Sequence, residues 1–103
     1  MTTETQIINP EQCTTMAEVR SGVDAVDAKL VALLATRFGY MAAAARIKTD
    51  RNAVRDEDRK ARVIANAVAL AQHLDAPADR IAAIWDMLVE HSIAYEMGLF
   101  DSK

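Results

Sequence analysis

Two basic side chains, those of Arg37 and Lys48, have the type and spacing to hold a small anion. They are eleven residues apart in a stretch without proline. On an α-helix this separation is about 20° around the axis and about 16 Å along it, so both residues lie on one face. Two long cationic side chains that bend towards each other there could bind a dianion. Alternatively, Arg37 pairs with an acid such as Glu96, and Lys48 complements the dipole at a helix end.

A third cation, Arg20, precedes Arg37 by 17 residues. That spacing is about 25 Å along one helix, too far for both side chains to hold one small molecule. Arg20 can therefore join the same site only from a second chain. Two copies of this helix packed antiparallel would bring Arg20 of one copy near Arg37 or Lys48 of the other, so the sequence predicts a site shared between the subunits of a homodimer.

The charge distribution supports a small anionic ligand. The chain has a net charge of −3, yet residues 46–62 contain seven basic and four acidic residues. A local cationic zone in an acidic protein favours a small anion over a long polyanion, and a solvated basic loop is the alternative. The net charge and the scarcity of aromatic residues argue against a nucleic-acid partner.

Helices must position these residues. In 103 residues there are only three glycines and two prolines, and half of the chain is apolar, which favours a single all-α domain. Thr15-Met16-Ala17-Glu18 matches a capping box, and apart from Gly22 and Gly39 no helix breaker follows until about Asp50. We predict a flexible tail at residues 1–14 and a helical domain at residues 15–103, with a long first helix.

The first helix carries an apolar seam with a spacing of 3.5 residues, the period of two helices wrapped around each other. The seam residues are Val19, Val23, Val26, Leu30 and Leu33. A second helix is predicted from Asp56-Glu57-Asp58 to about His73, and a third from Pro77 to about Met97. The apolar stripe of the third helix continues into Ser92 and Glu96; Ser92 could instead bond a carbonyl of its own helix, and Glu96 could lie in solvent.

Several other classes of site lack their residues. Cys13 is the single cysteine, so no internal disulfide is possible, and His73 and His91 have no metal-ligand spacing. No glycine-rich phosphate loop and no long uncharged apolar run is present. We expect a cytoplasmic protein without a metal, a cofactor or a membrane partner.

Taken in order, the motifs resemble the all-helical chorismate mutase family, including its close relative, isochorismate-pyruvate lyase. The resemblance covers residues 11–100 and rests on Glu18-Val19-Arg20, Val23-Asp24, Val26-Asp27, residues 30–37 (LVALLATR), Lys48, residues 53–59 (AVRDEDR) and residues 90–96 (EHSIAYE). It implies three helices per chain in an intertwined homodimer. It also implies that chorismate rearranges to prephenate, a step towards phenylalanine and tyrosine, without a cofactor.

The resemblance also implies roles for individual residues. Arg37 and Arg20 of the partner subunit would clamp the two carboxylates, and Lys48 would donate to the ether oxygen and a carboxylate. Glu96 would be the second donor to the ether oxygen, which only its protonated form can be. The remaining residues expected to line the pocket are Asp56, Arg59 and Ser92.

Two features depart from the mutase pattern. Lys60 stands where many mutases carry an acid that contacts the substrate hydroxyl, and Asn9-Pro10-Glu11-Gln12-Cys13 looks more like the lyase branch. Residues 55–59 and Ser92 look like the mutase branch and would lie nearer the ligand, so we predict a chorismate mutase. The alternatives are an isochorismate-pyruvate lyase, which yields salicylate and pyruvate, and a non-catalytic helical dimerisation module.

Overall fold

The computed structural model describes residues 7–103. Three α-helices account for most of this part of the chain, which contains no strand: α1 (Met16–Ile47), α2 (Glu57–His73) and α3 (Ala78–Ser102). Two short 3₁₀ turns, Pro10–Gln12 and Arg51–Ala53, precede α1 and α2. The all-α prediction with three helices and a long first helix is confirmed.

The predicted capping box begins α1. The Glu18 amide donates to Thr15 Oγ1 at 3.2 Å, and the Thr15 amide donates to Glu18 Oε1 at 3.0 Å. Glu18 Oε1 also accepts from the Thr14 amide at 2.9 Å. The hydrogen bonds that the Glu18 carboxylate accepts lower its pKa below the ordinary value, and the bond from the Thr14 amide is the largest cause. The carboxylate therefore satisfies amides that the first turn would otherwise leave without a partner.

Helix α1 ends at Ile47, three residues before the predicted end at Asp50. The difference arises because Asp50 caps the next element: its Oδ1 accepts from the Asn52 amide at 2.9 Å and begins the turn Arg51–Ala53. Lys48 is consequently the first residue after α1, and its amide donates to Ala44 O at 2.9 Å.

The segment before α1 was predicted to be a flexible tail at residues 1–14. Residues 1–6 lie outside the described residues. From residue 7 onward the segment contains the turn Pro10–Gln12, which is closed by the Cys13 amide donating to Pro10 O at 3.2 Å. The flexibility of the tail stays a prediction.

Helix α2 ends at His73 as predicted. Asp75 adopts a left-handed backbone conformation with φ of 56°, and the Ala76 amide donates to Ala71 O at 2.8 Å, a common way to end a helix. Pro77 was expected in the first turn of α3 and instead caps it, with its carbonyl accepting from the Ile81 amide at 3.0 Å. The predicted end of α3 at Met97 is also wrong, because the helix continues through Gly98 to Ser102.

The chain divides into two compact units, one ending at Arg37 and the other comprising Phe38–Lys103. In the second unit α2 packs against α3 and the turn Arg51–Ala53 contacts α3. Phe38 and Tyr95 make an edge-to-face contact with ring centroids 5.1 Å apart. The buried apolar residues of the described part of the chain are small or medium in size, namely Ala45, Val54, Ala71 and Val89.

The first unit leaves much of its apolar seam in contact with solvent. Val23 is 50% exposed, Val26 is 53% exposed and Leu33 is 66% exposed. Beside the seam, Ile7, Ile8, Pro10 and Cys13 line an apolar groove together with α1. A coiled-coil partner for this seam is therefore not supplied within the unit, and the intertwined homodimer stays a prediction.

Among residues 7–103, α1 alone is long and apolar enough to cross a membrane on length and composition, with a mean hydropathy of 1.3 over 18 residues. Charged residues such as Arg37 interrupt α1, and the prediction of no membrane partner rested on the absence of a long uncharged apolar run. A helix that packs its apolar face against protein can have the same length and composition as a membrane helix. The result is therefore only a weak indication of a membrane helix.

Candidate active site

The centre of the candidate site is an ion pair between the partly buried Lys48 and the buried carboxylate of Glu96. Lys48 Nζ donates to Glu96 Oε2 at 2.8 Å, and the Glu96 side chain is 5% exposed against 30% for Lys48. The ammonium group of Lys48, directly after α1, therefore meets the polar end of the α3 stripe, a contact that was not predicted from the sequence. The alternative in which Glu96 lies in solvent does not agree with the structure.

The energetics of this pair favour specificity over stability. Removing two charges from water costs free energy that their attraction only partly returns, so such a pair adds little net stability. Removing Lys48 alone would leave a buried carboxylate unpaired, at a cost on the order of 3 kcal/mol. The pair thus fixes where the Lys48 ammonium group lies.

The end of α1 explains the position of Lys48. Lys48 directly follows the last turn of α1, where a positive charge is favoured by the helix dipole. The position agrees with the interpretation that Lys48 complements the helix end, whereas its predicted role in binding an anion stays a prediction.

Ser92 lies one turn before Glu96 on α3 and is 3% exposed. Its Oγ donates to Leu88 O at 2.6 Å, which agrees with the alternative that it bonds a carbonyl of its own helix. The hydroxyl proton is thus used within α3, and towards a ligand the Ser92 oxygen would act as an acceptor. Ser92 and Glu96 together give α3 a buried polar end to an otherwise apolar stripe.

The two arginines of the predicted clamp lie in the first unit. Arg20 is exposed and Arg37 is half-buried, and both belong to the continuous helix α1. Since 17 residues of helix separate them, about 25 Å lies between their backbones within one chain. A single chain does not bring Arg20 to Arg37, as the spacing predicted.

Asp56 and Arg59 are exposed residues at the start of α2. Asp56 Oδ1 accepts from the Arg59 amide at 3.0 Å, so Asp56 caps this helix. Within residues 7–103 no hydrogen bond or ion pair joins Asp56 or Arg59 to Lys48 or Glu96. Their predicted role in lining the pocket stays a prediction.

The sequence interpretation missed a charge network that holds α2 against α3. Lys60 Nζ lies 2.7 Å from Glu90 Oε2 and 3.1 Å from Asp86 Oδ1. Arg55 Nη2 donates to Glu90 Oε1 at 2.7 Å, and Arg55 Nη1 also bonds Glu57 at 2.9 Å. Lys60, the residue that departs from the mutase pattern, is therefore compensated by acids of α3.

A second missed set lies at the end of α3. Arg51 Nε and Nη2 donate to the two carboxylate oxygens of Asp101 at 2.8 and 3.1 Å. Lys103 Nζ donates to Ala45 O at 2.8 Å and to Lys48 O at 2.5 Å. The sequence interpretation ended α3 at Met97, so it did not consider these residues as neighbours of Lys48.

A metal does not have an evident site in the described part of the chain. No three His, Cys, Asp or Glu side chains of residues 7–103 are grouped so that they could hold an ion.

The charge network predicts a specific pH dependence of stability. Hydrogen bonds from Arg55, and next from Lys60, lower the pKa of Glu90 from 4.5 to about 2. A lowered pKa in the folded state stabilises the protein above pH 4.5, and this contribution is lost as the pH falls towards 2. In urea unfolding at a series of pH values, Glu90→Gln should therefore weaken the dependence of the unfolding free energy on pH in this range.

Glu11→Gln is a matched control, since Glu11 is an exposed residue outside the network. It should leave the slope close to that of the wild type. Equal slopes for the wild type and Glu90→Gln would contradict the role given to Glu90.

The chain is similar in sequence to known proteins over most of its length. The family model for chorismate mutase type II matches residues 19–97, which include α2, most of α1 and most of α3. A curated isochorismate pyruvate lyase from Pseudomonas aeruginosa is 34% identical over 70 residues, which cover 66% of this chain and 69% of that protein. The matched region contains every residue of the candidate site, from Arg20 to Glu96. The chain belongs to the chorismate mutase type II family.

Proposed function

We propose that this protein is a chorismate mutase that converts chorismate to prephenate as a homodimer, in the biosynthesis of phenylalanine and tyrosine in the cytoplasm. The observation that carries the proposal is the pair between Lys48 and the buried carboxylate of Glu96 in a member of this family. It puts a cationic donor and a carboxyl group 2.8 Å apart, so that both can reach one small ligand. These are the two side chains to which the family resemblance assigns the ether oxygen of the substrate.

In the proposed reaction the protein orients the substrate and stabilises developing charge. The rearrangement takes place within one molecule, and its rate depends on holding the two carboxylates in the reactive conformation and stabilising charge on the ether oxygen. In the proposal Arg37 and Arg20 of the partner subunit bind the carboxylates. Lys48 donates to the ether oxygen and to a carboxylate, and no side chain forms a covalent bond to the substrate.

Without a ligand, Glu96 compensates the charge of Lys48. Lys48 Nζ is the donor in this pair, and an ammonium group has three protons to donate. Lys48 can therefore keep its bond to Glu96 while a second proton points to the substrate. Such an arrangement is organised before the ligand arrives, which is the condition for efficient electrostatic stabilisation.

The exposed seam of α1 supports the homodimer. The side chains Val23, Val26, Leu30 and Leu33 are about half or more exposed in the single chain. Exposed apolar stripes of this length mark protein interfaces, and a spacing of 3.5 residues fits a second helix. A second copy of α1 would cover the seam and bring its own Arg20 to the site, which one chain cannot do.

The second candidate activity is that of isochorismate pyruvate lyase. The relative at 34% identity carries this name, and residues 9–13 of this chain resemble the lyase branch. The product carboxylates and the cations that would bind them are similar for the two reactions. The choice between them therefore rests on small differences around the ring of the substrate.

A two-substrate assay tests the activity. Purified protein is incubated with chorismate and, separately, with isochorismate, and prephenate, salicylate and pyruvate are measured. We expect prephenate from chorismate, and Lys48→Gln should lower kcat/KM at least 100-fold, the order expected for a lost transition-state donor. Arg46→Gln, which removes an exposed cation two residues away, should have little effect.

Each of the other outcomes of this assay would indicate a different function. Turnover of isochorismate alone would replace the proposed mutase by a lyase. A folded dimer that converts neither substrate would favour the non-catalytic dimerisation module. Circular dichroism of Lys48→Gln separates a lost donor from a lost fold, and the glutamine amide still offers Glu96 a hydrogen bond.

Mixing two inactive variants tests whether the site is shared. Arg20→Gln and Lys48→Gln are unfolded together and refolded as a mixture. If Arg20 acts across the interface, each heterodimer has one intact site and one site with both substitutions, so the mixture should regain about a quarter of the wild-type activity. If both residues act in one chain, no intact site forms and activity stays near zero.

The pH profile tests the role of Glu96. To donate to the ether oxygen, Glu96 must take up a proton and exchange its ion pair with Lys48 for a neutral hydrogen bond, so kcat/KM should decline as the pH rises when it is measured over about pH 5 to 8. Glu96→Gln keeps a donor at every pH and should give a flatter profile. A flat wild-type profile over this range would count against Glu96 as the donor.

A further inference from the structure

We infer that the C-terminal end of α3 positions Lys48 for catalysis, through Lys103 as the main anchor and Asp101 as a second anchor. This inference rests on the proposed function, because it concerns how Lys48 is held in that site. Neither residue contacts the Lys48 ammonium group, so both are positioning residues.

The first anchor is Lys103, whose ammonium group caps the C-terminus of α1. The last carbonyls of a helix have no partner within the helix, and a cation there is favoured by the dipole. Lys103 Nζ donates to Ala45 O and to the carbonyl of Lys48 itself. The same ammonium group lies 4.1 Å from the centroid of the Phe100 ring, which further restricts its position.

The second anchor, Asp101, binds the chain just after Lys48. Asp101 accepts two hydrogen bonds from Arg51 in the turn Arg51–Ala53, and a two-point arginine–carboxylate contact fixes orientation as well as distance. The short link from Lys48 to Asp50 is thus held to α3 at both of its ends. Both side chains of this second pair are about half exposed, so it contributes less than Lys103.

Both anchors lie at the end of α3, the helix that also carries Glu96, the partner of the Lys48 side chain. Glu96 holds the ammonium group of Lys48, while Lys103 holds its carbonyl. Lys48 therefore meets α3 at two points, one through its side chain and one through its backbone. Without Lys103, Glu96 alone would define the position of a side chain that follows the end of a helix and has many rotamers.

The test compares Lys103→Met, Lys103→Arg and Ser102→Ala. Lys103→Met keeps a side chain of similar size without the donor, and a small displacement of Lys48 should lower kcat about tenfold while KM changes less than about twofold. Lys103→Arg can still donate to both carbonyls and should restore most of kcat. Among residues 7–103 the Ser102 hydroxyl bonds only Gly98 O of its own helix, at 2.8 Å, so Ser102→Ala should match the wild type.

Amide hydrogen exchange provides a readout without turnover. Amides of residues 46–54 should exchange faster in Lys103→Met than in the wild type, and Ser102→Ala should not change them. If Lys103→Met does not fold, Asp101→Asn removes the second anchor and should produce smaller changes of the same kind in kcat and exchange.

The outcomes distinguish this inference from the proposed function. Full kcat in Lys103→Met, with Lys48→Gln inactive, overturns the anchoring and leaves the function intact. A wild-type protein that converts neither chorismate nor isochorismate overturns the function, and the exchange data then decide the anchoring. A loss of kcat in Lys103→Met with unchanged amide exchange at residues 46–54 would also overturn the anchoring.

Discussion

The bond between Lys48 and Glu96 is the constraint on which the rest of the candidate site depends. It joins the residue after α1 to the buried face of α3, 48 positions later in the chain. A buried carboxylate requires a partner of opposite charge, and a lysine at a helix end has the reach to be that partner. Because the pair contributes little net stability, its value lies in defining where one positive charge stands.

Surrounding contacts reduce the freedom of that charge. Lys103 caps the end of α1, and Arg51 pairs with Asp101 directly after it. Elsewhere in the second unit, Lys60 and Arg55 pair with Glu90 and connect the region of α2 to α3. The rearrangement proposed for this protein would need such fixed charges more than it needs reactive groups.

The long first helix has a different requirement. Its seam is apolar and largely exposed in the single chain, and the buried apolar side chains of the described residues are too few and too small to form a large core. Small domains gain stability by burying surface against a second copy. The same geometry gives a reason for Arg20, which is too far along α1 from Arg37 to act with it in one chain.

The sequence by itself determined the helices, because local signals specify them. The capping box at Thr15 and Glu18, the acids that begin α2 and the break near Pro77 all act over a few residues, and α1 and α2 are recognisable from such patterns. The spacing of Arg20, Arg37 and Lys48 likewise follows from helix geometry alone. The family resemblance then indicated Glu96 and Ser92, which the structure shows to be buried.

Only the tertiary structure decided which distant charges meet. The sequence contains several acids that could pair with Lys48, Lys60 or Arg51, and no local rule selects Glu96, Glu90 or Asp101 among them. That choice depends on how far α3 extends and on the register in which helices pack, both set by side-chain packing over the whole domain. A helix that continues five residues beyond its predicted end at Met97 brings Asp101 and Lys103 to the end of α1, where pattern reading did not place them.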